Sequence, residues 1–320
     1  MRVLTGIQPS GKLHWGNYFG AMKSMFYLQQ KGEDMFMFIA NFHAMTTVRD
    51  GAVLREATRE VALDYLACGL DPAKTTVYRQ SDVPEVQELA WYLSCLTPMG
   101  LLERCHSYKD KMAHGFEATH GLFAYPVLMA ADILIMNSDL VPVGKDQKQH
   151  LEVTRDLAQK FNNAFGEIFK MPDAYIPESV ATIPGTDGQK MSKSYHNAIE
   201  LFEPNGSIKK KVMGIVTDSK TMEEPKEPEG NSIYELYKLF ATPEEVAQMA
   251  ASFRAGNYGY GHAKKALLEA YHRLFDPFRA KREELAKDPA TLEDILQAGA
   301  KRARAAAAVT MDKVRVAVGL

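Results

Sequence analysis

Cysteine and long apolar runs are both scarce in this chain. Its 320 residues include three cysteines, Cys68, Cys95 and Cys105, with no Cys-x-x-Cys pair among them. This spacing argues against a disulfide framework or a zinc knuckle and favours reduced thiols. No apolar run approaches the ~20 residues that a membrane-spanning helix needs, and the first residues reach a glycine loop too early for a signal peptide. We therefore expect a cytoplasmic protein with no membrane partner.

An excess of charge of one sign is also missing. The chain has 38 basic and 40 acidic residues and a net charge of -2, so local basic patches would have to hold any nucleic-acid partner. With 46% hydrophobic and 24% charged residues, the composition is that of a globular protein and excludes collagen, coiled-coil and disordered classes. Because the chain is about twice the ~150 residues of a typical domain, we expect one large domain and a smaller one.

The first half of the chain alternates strand-like and helix-like segments. Residues 35–40 (MFMFIA) form an apolar run typical of a strand buried on both faces, and residues 2–5 and 75–80 have strand-like patterns. Helical periodicity follows each of them. This order predicts an α/β fold with a doubly wound parallel sheet, on which ligands bind at the carboxyl ends of the strands. Those ends carry Thr5-Gly6, Asn41-Phe42-His43 and Gln80-Ser81.

The second half has a different character. Residues 222–230 (MEEPKEPEG) are charged and proline-rich, which predicts a mobile surface loop. From residue 232 onward the pattern is helical, with no convincing strand. We therefore predict a first domain over residues 1–194 and a helical domain over 195–320, whose last helices can pack back on the first.

Two loops carry residues suited to a polyphosphate. Residues 6–17 (GIQPSGKLHWGN) form a glycine-rich turn from a strand into a helix, where free N–H groups and the positive helix end attract an anion. Residues 190–194 (KMSKS) follow a Gly/Pro loop and place two lysines and two hydroxyls within five residues. Taken singly, the first loop is also consistent with a tight turn and the second with a solvated surface.

Together the two loops resemble the HIGH and KMSKS signatures of the class I aminoacyl-tRNA synthetases. Residues 14–17 (HWGN) are a degenerate form of the first, and residues 190–194 match the second letter for letter. Within that class the chain is similar to the bacterial tryptophanyl-tRNA synthetases over nearly its whole length. The matching segments include residues 6–11, 128–134, 141–144, 146–150 and 216–219.

This resemblance implies a Rossmann-like catalytic domain, a helical tRNA/anticodon-binding domain and a cytoplasmic homodimer. The implied reaction activates L-tryptophan with Mg-ATP to tryptophanyl-adenylate and pyrophosphate, then transfers the tryptophanyl group to the 3′ end of tRNA(Trp). Mg²⁺ would be held mainly by phosphates, with no metal ligands from side chains.

The resemblance also implies roles for particular residues. The expected ATP-binding residues are Gln8, Pro9, Ser10, His14, Gly16, Asn17, Gly144, Lys145, Asp146, Ile183, Lys190, Met191, Ser192, Lys193 and Ser194. Those expected to act in catalysis, by aligning the reactants and stabilising charge on the leaving group, are Gln8, Lys111, Lys190, Lys193 and Ser194. The expected tRNA contacts are Lys301, Arg302 and Arg304, for which a solvated basic face is an equally good interpretation.

The sequence also predicts a pocket for the amino acid. Tyr125, Met129 and Asp132 are spaced to share one face of a helix. Indole needs a flat apolar slot and one acceptor for its N–H, and a carboxylate in the apolar stretch 129–134 is costly without a partner or ligand. We therefore predict that Asp132 accepts this hydrogen bond. The resemblance adds His43, Val141, Val143 and Gln147 to the pocket, although plain core packing also accounts for Met129 and the valines.

Three departures from the family pattern and two alternatives remain open. Asn41 stands where many members have Asp, Lys145 stands where many have Glu, and the stretch from Ile183 to Lys190 is shorter than in some members. One alternative is a tyrosyl-tRNA synthetase, although a phenol would need polar partners for its hydroxyl. The other is a catalytically silent paralogue that binds tRNA or tryptophan as a regulator, against which the intact KMSKS sequence argues.

Overall fold

Five parallel strands form the sheet in a computed structural model that describes residues 1–105, 108–109, 112, 115, 117–144, 147–175 and 183–320. The strands are β1 (Arg2–Ile7), β2 (Asp34–Ile39), β3 (Thr75–Arg79), β4 (Leu140–Pro142) and β5 (Asp173–Tyr175). Their order is β3-β2-β1-β4-β5, so the direction of chain progression reverses between β1 and β4. Ligand sites of doubly wound sheets form at this reversal. The prediction of an α/β fold with such a sheet is confirmed, although β1 continues past Gly6, where the sequence pattern had ended it.

The described α-helices account for most of the remaining chain. In chain order they are α1 (Trp15–Asn17), α2 (Lys23–Gln30), α3 (Asn41–Ala44), α4 (Gly51–Cys68), α5 (Glu85–Leu96), α6 (Met99–Glu103), α7 (His120–Phe123), α8 (Tyr125–Ile135), α9 (Lys148–Phe165), α10 (Asn205–Met213), α11 (Ser232–Phe240), α12 (Pro243–Ala255), α13 (Tyr260–Ala286) and α14 (Pro289–Val318). Local sequence sets several of the ends. Asp50, for example, accepts hydrogen bonds from Ala52 N and Val53 N at the start of α4, and Gly69 ends that helix with a φ of +124°.

The sheet is buried on both faces, as the apolar run in β2 predicts. Met35, Met37 and Ile39 join the hydrophobic core on one face, and Phe36 and Phe38 join the core on the other. Successive side chains of a strand point to opposite faces, so a strand between two helical layers must be apolar at every position. None of the described helices is both long and apolar enough to cross a bilayer.

The helices of the second half pack on the glycine-rich loop and on the sheet. The buried ring of Trp15 stacks on Tyr271 of α13, with ring centroids 5.4 Å apart, and meets Phe240 of α11 edge-on at 4.7 Å. Helix α14 packs against β3 and α5. It approaches β3 closely because Gly299 has no side chain: a Cβ there would lie 1.7 Å from Val77 O. The predicted division at residue 194 stays a prediction.

The charged segment 222–230 is organised around a buried side chain. Lys226 is 2% exposed, and its Nζ donates to the carbonyl oxygens of Thr221 and Glu224 at 2.7 and 2.9 Å. Its ammonium also lies 5.3 Å from the ring centroid of Tyr260. The segment lacks helix or strand, as predicted, but its charged sequence did not reveal that one lysine would bind the loop's own carbonyl groups from inside.

A buried ion pair joins α13 to α4. Arg282 Nε donates to Asp64 Oδ1 at 2.6 Å, and Arg282 Nη2 donates to Glu60. The Arg282 side chain is 18% exposed and that of Asp64 is 6% exposed. Burial raises the pKa of Asp64 to about 6 even though Arg282 opposes the shift. The guanidinium is therefore the main group that makes the buried carboxylate tolerable.

Replacing Arg282→Ala should lower the free energy of unfolding by about 3 kcal/mol, because it leaves Asp64 buried without its cation. Urea denaturation followed by circular dichroism measures the change. The matched control is Arg273→Ala, which breaks an ion pair with Glu245 whose arginine is exposed and should change stability little. Similar losses in the two variants would show that the ion pair to Asp64 has no special weight.

Candidate active site

A cavity opens where the carboxyl ends of β1 and β4 lie side by side. It contains about 560 Å³ of empty space, including its open mouth, which is within the range of small-molecule sites. It is lined by Leu4, Gly6, Gln8, Phe38, Ala40, His43, Tyr125, Met129, Asp132, Ile133, Val141, Pro142, Val143 and Gln147. All seven residues predicted for the amino-acid pocket are in this set, together with Gln8. The structure thus brings together side chains that the chain spreads over residues 8–147.

Gly6 lines the cavity and lies against the ring of Phe38. A Cβ at this position would lie 2.5 Å from Cζ of Phe38 on β2, so a larger residue would push the aromatic ring aside. Because the residue has no side chain, β1 passes the Phe38 ring at close range and the space above it stays open.

Helix α8 places Tyr125, Met129 and Asp132 on the cavity wall, as their spacing predicts. Asp132 is buried, but its carboxylate has partners within the protein. Gln80 Nε2 donates to Oδ1 and Oδ2 at 2.8 and 2.9 Å, and His43 Nε2 lies 2.7 Å from Oδ2. Burial raises the pKa of Asp132, and these hydrogen bonds oppose that shift. Among the described residues Oδ1 has a single hydrogen-bond partner, which leaves it capacity for one more donor.

Gln80 is a residue of the site to which the sequence analysis gave no role. Its Oε1 accepts from the backbone N–H groups of Phe42 and His43, at 3.0 and 3.4 Å, while its Nε2 donates to Asp132. The amide therefore spans the start of α3 and the carboxylate on α8. The signal that could have found it is its position directly after β3, at the edge of the sheet where His43 follows β2.

His43 lines the cavity, and Asn41 lies two residues before it at the start of α3. The ring of His43 lies 4.4 Å from that of Tyr125, and its carbonyl oxygen accepts from Gln8 Nε2 at 3.3 Å. Asn41 and Ser81 bind each other reciprocally: Asn41 Nδ2 donates to Ser81 Oγ at 2.7 Å, and Ser81 N donates to Asn41 Oδ1 at 3.0 Å. This pair joins the ends of β2 and β3 without a negative charge, so the departure from Asp at residue 41 leaves the connection intact.

The glycine-rich loop and the KMSKS segment lie against each other. Lys193 Nζ is 3.5 Å from Ser10 O. The chain directly after KMSKS pairs with the first loop, because Trp15 N donates to Ile199 O at 3.0 Å and Leu201 N donates to Leu13 O at 2.9 Å. The two segments predicted to surround a polyphosphate thus share one short antiparallel connection.

His14 is neutral in this arrangement. It is buried, and desolvation together with the nearby charge of Lys193 lowers the pKa of His14 to about 4. Its backbone N–H donates to Asn17 Oδ1 at 3.0 Å at the start of α1. A Cβ on Gly16 would lie 2.9 Å from the His14 ring, which explains the glycine. The positive charge near an anion here therefore comes from lysine, not from His14.

Asn197 organises the KMSKS segment and was missed by the sequence analysis. Its buried Nδ2 donates to Asp187 Oδ1 at 2.8 Å and to Lys190 O at 3.0 Å, and its Oδ1 accepts from Ser192 N at 2.8 Å. The segment before it turns tightly, with Met191 N donating to Ile183 O at 2.8 Å. The short stretch between Ile183 and Lys190 is therefore a compact hairpin. No sequence pattern marks one asparagine after KMSKS as its support.

The remaining predicted residues have different surroundings. Arg302 donates to the carbonyl oxygens of Pro72 and Thr75 at 2.8 and 3.2 Å, and Arg304 donates to Glu85 at 2.8 Å. Both arginines thus help to hold α14 against the first half of the chain. Lys301 lines an open groove between α5 and α14. Lys111, Lys145 and Asp146 lie outside the described residues.

Comparison with known proteins is unambiguous about the family. Residues 1–276 match the family described as tRNA synthetases class I (W and Y). The chain is 57% identical to a tryptophan–tRNA ligase of Rhodopirellula baltica over 320 residues, with both chains covered in full. The crystal structure of tryptophanyl-tRNA synthetase from Campylobacter jejuni, complexed with ADP and tryptophan, aligns with a TM-score of 0.95 at 51% identity, covering 100% of each chain.

A tyrosyl-tRNA synthetase from Archaeoglobus fulgidus, complexed with L-tyrosine, is a more distant neighbour. It aligns with a TM-score of 0.68 at 19% identity and covers 88% of this chain and 90% of that chain. At this level of identity the likeness shows a shared fold alone.

Proposed function

This chain belongs to the bacterial tryptophan–tRNA ligases of the class I aminoacyl-tRNA synthetases, and on that basis we propose that its cavity binds L-tryptophan and its two signature loops bind ATP. The tyrosine-specific and catalytically silent alternatives are set aside by the same relationships. The observation that carries the proposal for the amino acid is the buried Asp132 carboxylate at the cavity wall, with one oxygen able to accept a further hydrogen bond.

The cavity has the chemistry that an indole ring requires. Met129, Val141 and Val143 supply apolar surface for a flat ring, and Asp132 supplies an acceptor for its single N–H. Tyr125, His43 and Gln147 complete the wall on the polar side. A phenylalanine ring would fit the apolar surface but would leave Asp132 without the hydrogen bond, so the site would favour tryptophan by the energy of that bond.

The two loops have the chemistry that a triphosphate requires. Gln8, Pro9, Ser10, His14, Gly16 and Asn17 would face ATP from the first loop, Gly144 and Ile183 from the ribose and adenine sides, and residues 190–194 from the pyrophosphate side. Lys111, Lys145 and Asp146 are assigned here by the family resemblance alone. Mg²⁺ enters as part of the Mg-ATP substrate.

The reaction follows from this division of the site. A carboxylate oxygen of tryptophan attacks the α-phosphorus of ATP, and the bond to the bridging oxygen breaks, so that pyrophosphate carries away the charge. Lys190 and Lys193 stabilise that charge as it develops. A terminal ribose hydroxyl of tRNA(Trp) then attacks the carbonyl carbon of the adenylate, releasing AMP and the hydroxyl proton. No side chain needs to act as a nucleophile, because positioning and charge stabilisation carry both steps.

An exposed apolar surface supports the homodimer. Trp91 on α5 and Met99 at the start of α6 are 68% and 63% exposed, and Cys95, one helical turn after Trp91, is exposed as well. We call these three residues the dimer face. Large apolar side chains that cluster on a surface mark interaction sites, and a two-fold interface would bring the same face of each subunit together.

The proposal for tRNA contacts rests on Lys301, since Arg302 and Arg304 have structural partners. A substitution of either arginine would loosen α14 as well as remove a positive charge, so Lys301 is the residue that tests a phosphate contact cleanly.

A cytoplasmic location remains a prediction, in keeping with a reaction that feeds protein synthesis.

Replacing Asp132→Ala should lower kcat/KM for tryptophan roughly 5- to 150-fold, because the indole N–H loses its acceptor, a cost of ~1–3 kcal/mol. Activity with phenylalanine should fall less, and the KM for ATP should change little. ATP–pyrophosphate exchange with tryptophan and with phenylalanine gives kcat/KM for each amino acid, and the melting temperature shows whether the variant is stably folded. Asp139→Ala, which removes a carboxylate that accepts from Arg2 N and Lys170 Nζ after the same helix, is the control. An unchanged tryptophan-to-phenylalanine ratio would contradict the assignment of Asp132.

Replacing Lys193→Ala should slow adenylate formation roughly 100- to 1,000-fold at saturating ATP, as removal of one preorganised charge partner does. Tryptophan binding should stay nearly intact, because the lysine acts on the leaving group. Pre-steady-state adenylate formation provides the measurement. Lys209→Ala, at an exposed position on α10, controls for the loss of a lysine. A parental rate in the Lys193 variant would show that Lys193 has no role in adenylate formation.

Replacing Trp91→Lys should shift the protein from dimer to monomer, because it places a charge at the most exposed large apolar side chain of the dimer face. Sedimentation velocity at several concentrations measures the distribution. Val53→Lys is the matched control, since Val53 is 55% exposed on α4 and lies outside the dimer face. A Trp91 variant that stays dimeric would put the interface elsewhere, and a monomeric parent protein would overturn the homodimer itself.

A further inference from the structure

We infer that Gln80 is the residue that positions the Asp132 carboxylate for recognition of tryptophan. This inference rests on the proposed role of Asp132. Gln80 lies directly after β3 and is 1% exposed. It links the backbone of α3 to the carboxylate on α8 through four hydrogen bonds, and two of its partners, His43 and Asp132, line the cavity.

The orientation of the Gln80 amide is fixed by its surroundings. Its Oε1 faces the N–H groups of Phe42 and His43. A backbone N–H can only donate, so the oxygen of the amide must point to α3 and the nitrogen must point to Asp132. The reverse orientation would place NH₂ against two donors and the amide oxygen against a carboxylate. Gln80 therefore always presents a donor to Asp132.

That donor restricts how the carboxylate can turn. Gln80 Nε2 lies within 2.9 Å of both oxygens, and His43 Nε2 binds Oδ2 alone. Together they fix the plane of the carboxylate. Among the described residues Oδ1 has one donor and Oδ2 has two, so Oδ1 is the oxygen that can accept a further hydrogen bond. Without Gln80 the carboxylate would keep one described partner and could rotate about its Cβ–Cγ bond. A misdirected acceptor would weaken the hydrogen bond to indole without changing the shape of the apolar slot.

Gln80 also favours the ionised form of Asp132. Its hydrogen bonds oppose the rise in pKa that burial causes at Asp132, so their removal should raise the pKa of Asp132 further. Among the described residues, the titratable groups near the carboxylate are His43 from α3, Tyr78 from β3 and Tyr125 from α8, and His150 from α9 packs edge-on to Tyr125 at 5.6 Å. All four are unchanged by a substitution at residue 80, so a shifted pH profile would report on Gln80.

Two substitutions at residue 80 test the inference. Gln80→Met keeps the length of the side chain and removes both the donor and the acceptor. Gln80→Glu keeps the acceptor for α3 and sets a second carboxylate against Asp132. For Gln80→Met we expect a roughly 10- to 100-fold loss of kcat/KM for tryptophan, of the size that removing hydrogen bonds to a charged group causes. The loss with phenylalanine should be smaller, and the KM for ATP should be unchanged.

The pH profile separates positioning from a general loss of stability. Because an ionised Asp132 is needed, kcat/KM for tryptophan should fall at acidic pH, and this fall should begin at higher pH in Gln80→Met. In Gln80→Glu the two ionised carboxylates would repel each other, so kcat/KM for tryptophan should also fall at alkaline pH and recover where the pair takes up one shared proton. If Gln80→Met does not fold, Gln80→Glu carries the test at alkaline and acidic pH, since it preserves the bonds to α3.

Gln29→Met provides a matched control. Gln29 is another buried glutamine, and it binds Gly69 O, Asp71 N and Thr75 Oγ1 near the opposite end of β3. Its loss should lower the melting temperature without changing the tryptophan-to-phenylalanine ratio or the pH profile. An unchanged ratio and profile in Gln80→Met, beside a lowered ratio in Asp132→Ala, would overturn the role of Gln80 alone. Unchanged ratios in both variants would overturn the assignment of Asp132 and this inference with it.

Discussion

A carboxylate buried at the wall of an otherwise apolar helix is the constraint on which the site depends. Transfer of an isolated carboxylate from water into a protein interior is prohibitively costly, so Asp132 requires donors that arrive from elsewhere in the fold. The pairing of β2 with β3 brings Ile39 beside Arg79. The residues that follow these strands, His43 and Gln80, then reach the same carboxylate. The register between β2 and β3 thus brings together the two side chains that stabilise the ionised Asp132.

The second half of the site depends on how the two signature loops are held. The first is fixed by packing, since Trp15 lies between the rings of Tyr271 and Phe240. The second is fixed by hydrogen bonds through Asn197. Packing of a large ring resists small displacements in every direction, whereas a hydrogen-bonded hairpin can move as a unit. The contrast fits a site in which one loop holds a nucleotide and the other follows a leaving group.

Periodic features were predictable from sequence, and single polar contacts were not. The alternation of β2, the helical spacing of Tyr125, Met129 and Asp132, and the placement of His43 at a strand end all follow from local geometry. Gln80 and Asn197 each owe their importance to partners far away in the chain, and no local pattern encodes those partners. Arg302 and Arg304 give a third example. Both are exposed, as a tRNA contact or a solvated basic face requires, but the sequence does not reveal that they also bind Thr75 O and Glu85.

The two tryptophans of this chain occupy contrasting environments. Trp15 is fully buried between the glycine-rich loop and the helices of the second half, whereas Trp91 is largely in solvent on the dimer face. A buried indole emits at shorter wavelength than one in water, so the two side chains give separable fluorescence signals. Trp15 reports on the packing of the first loop against α11 and α13, and Trp91 would report on the proposed contact between subunits. The protein therefore carries one intrinsic optical probe in its packed interior and one on its surface.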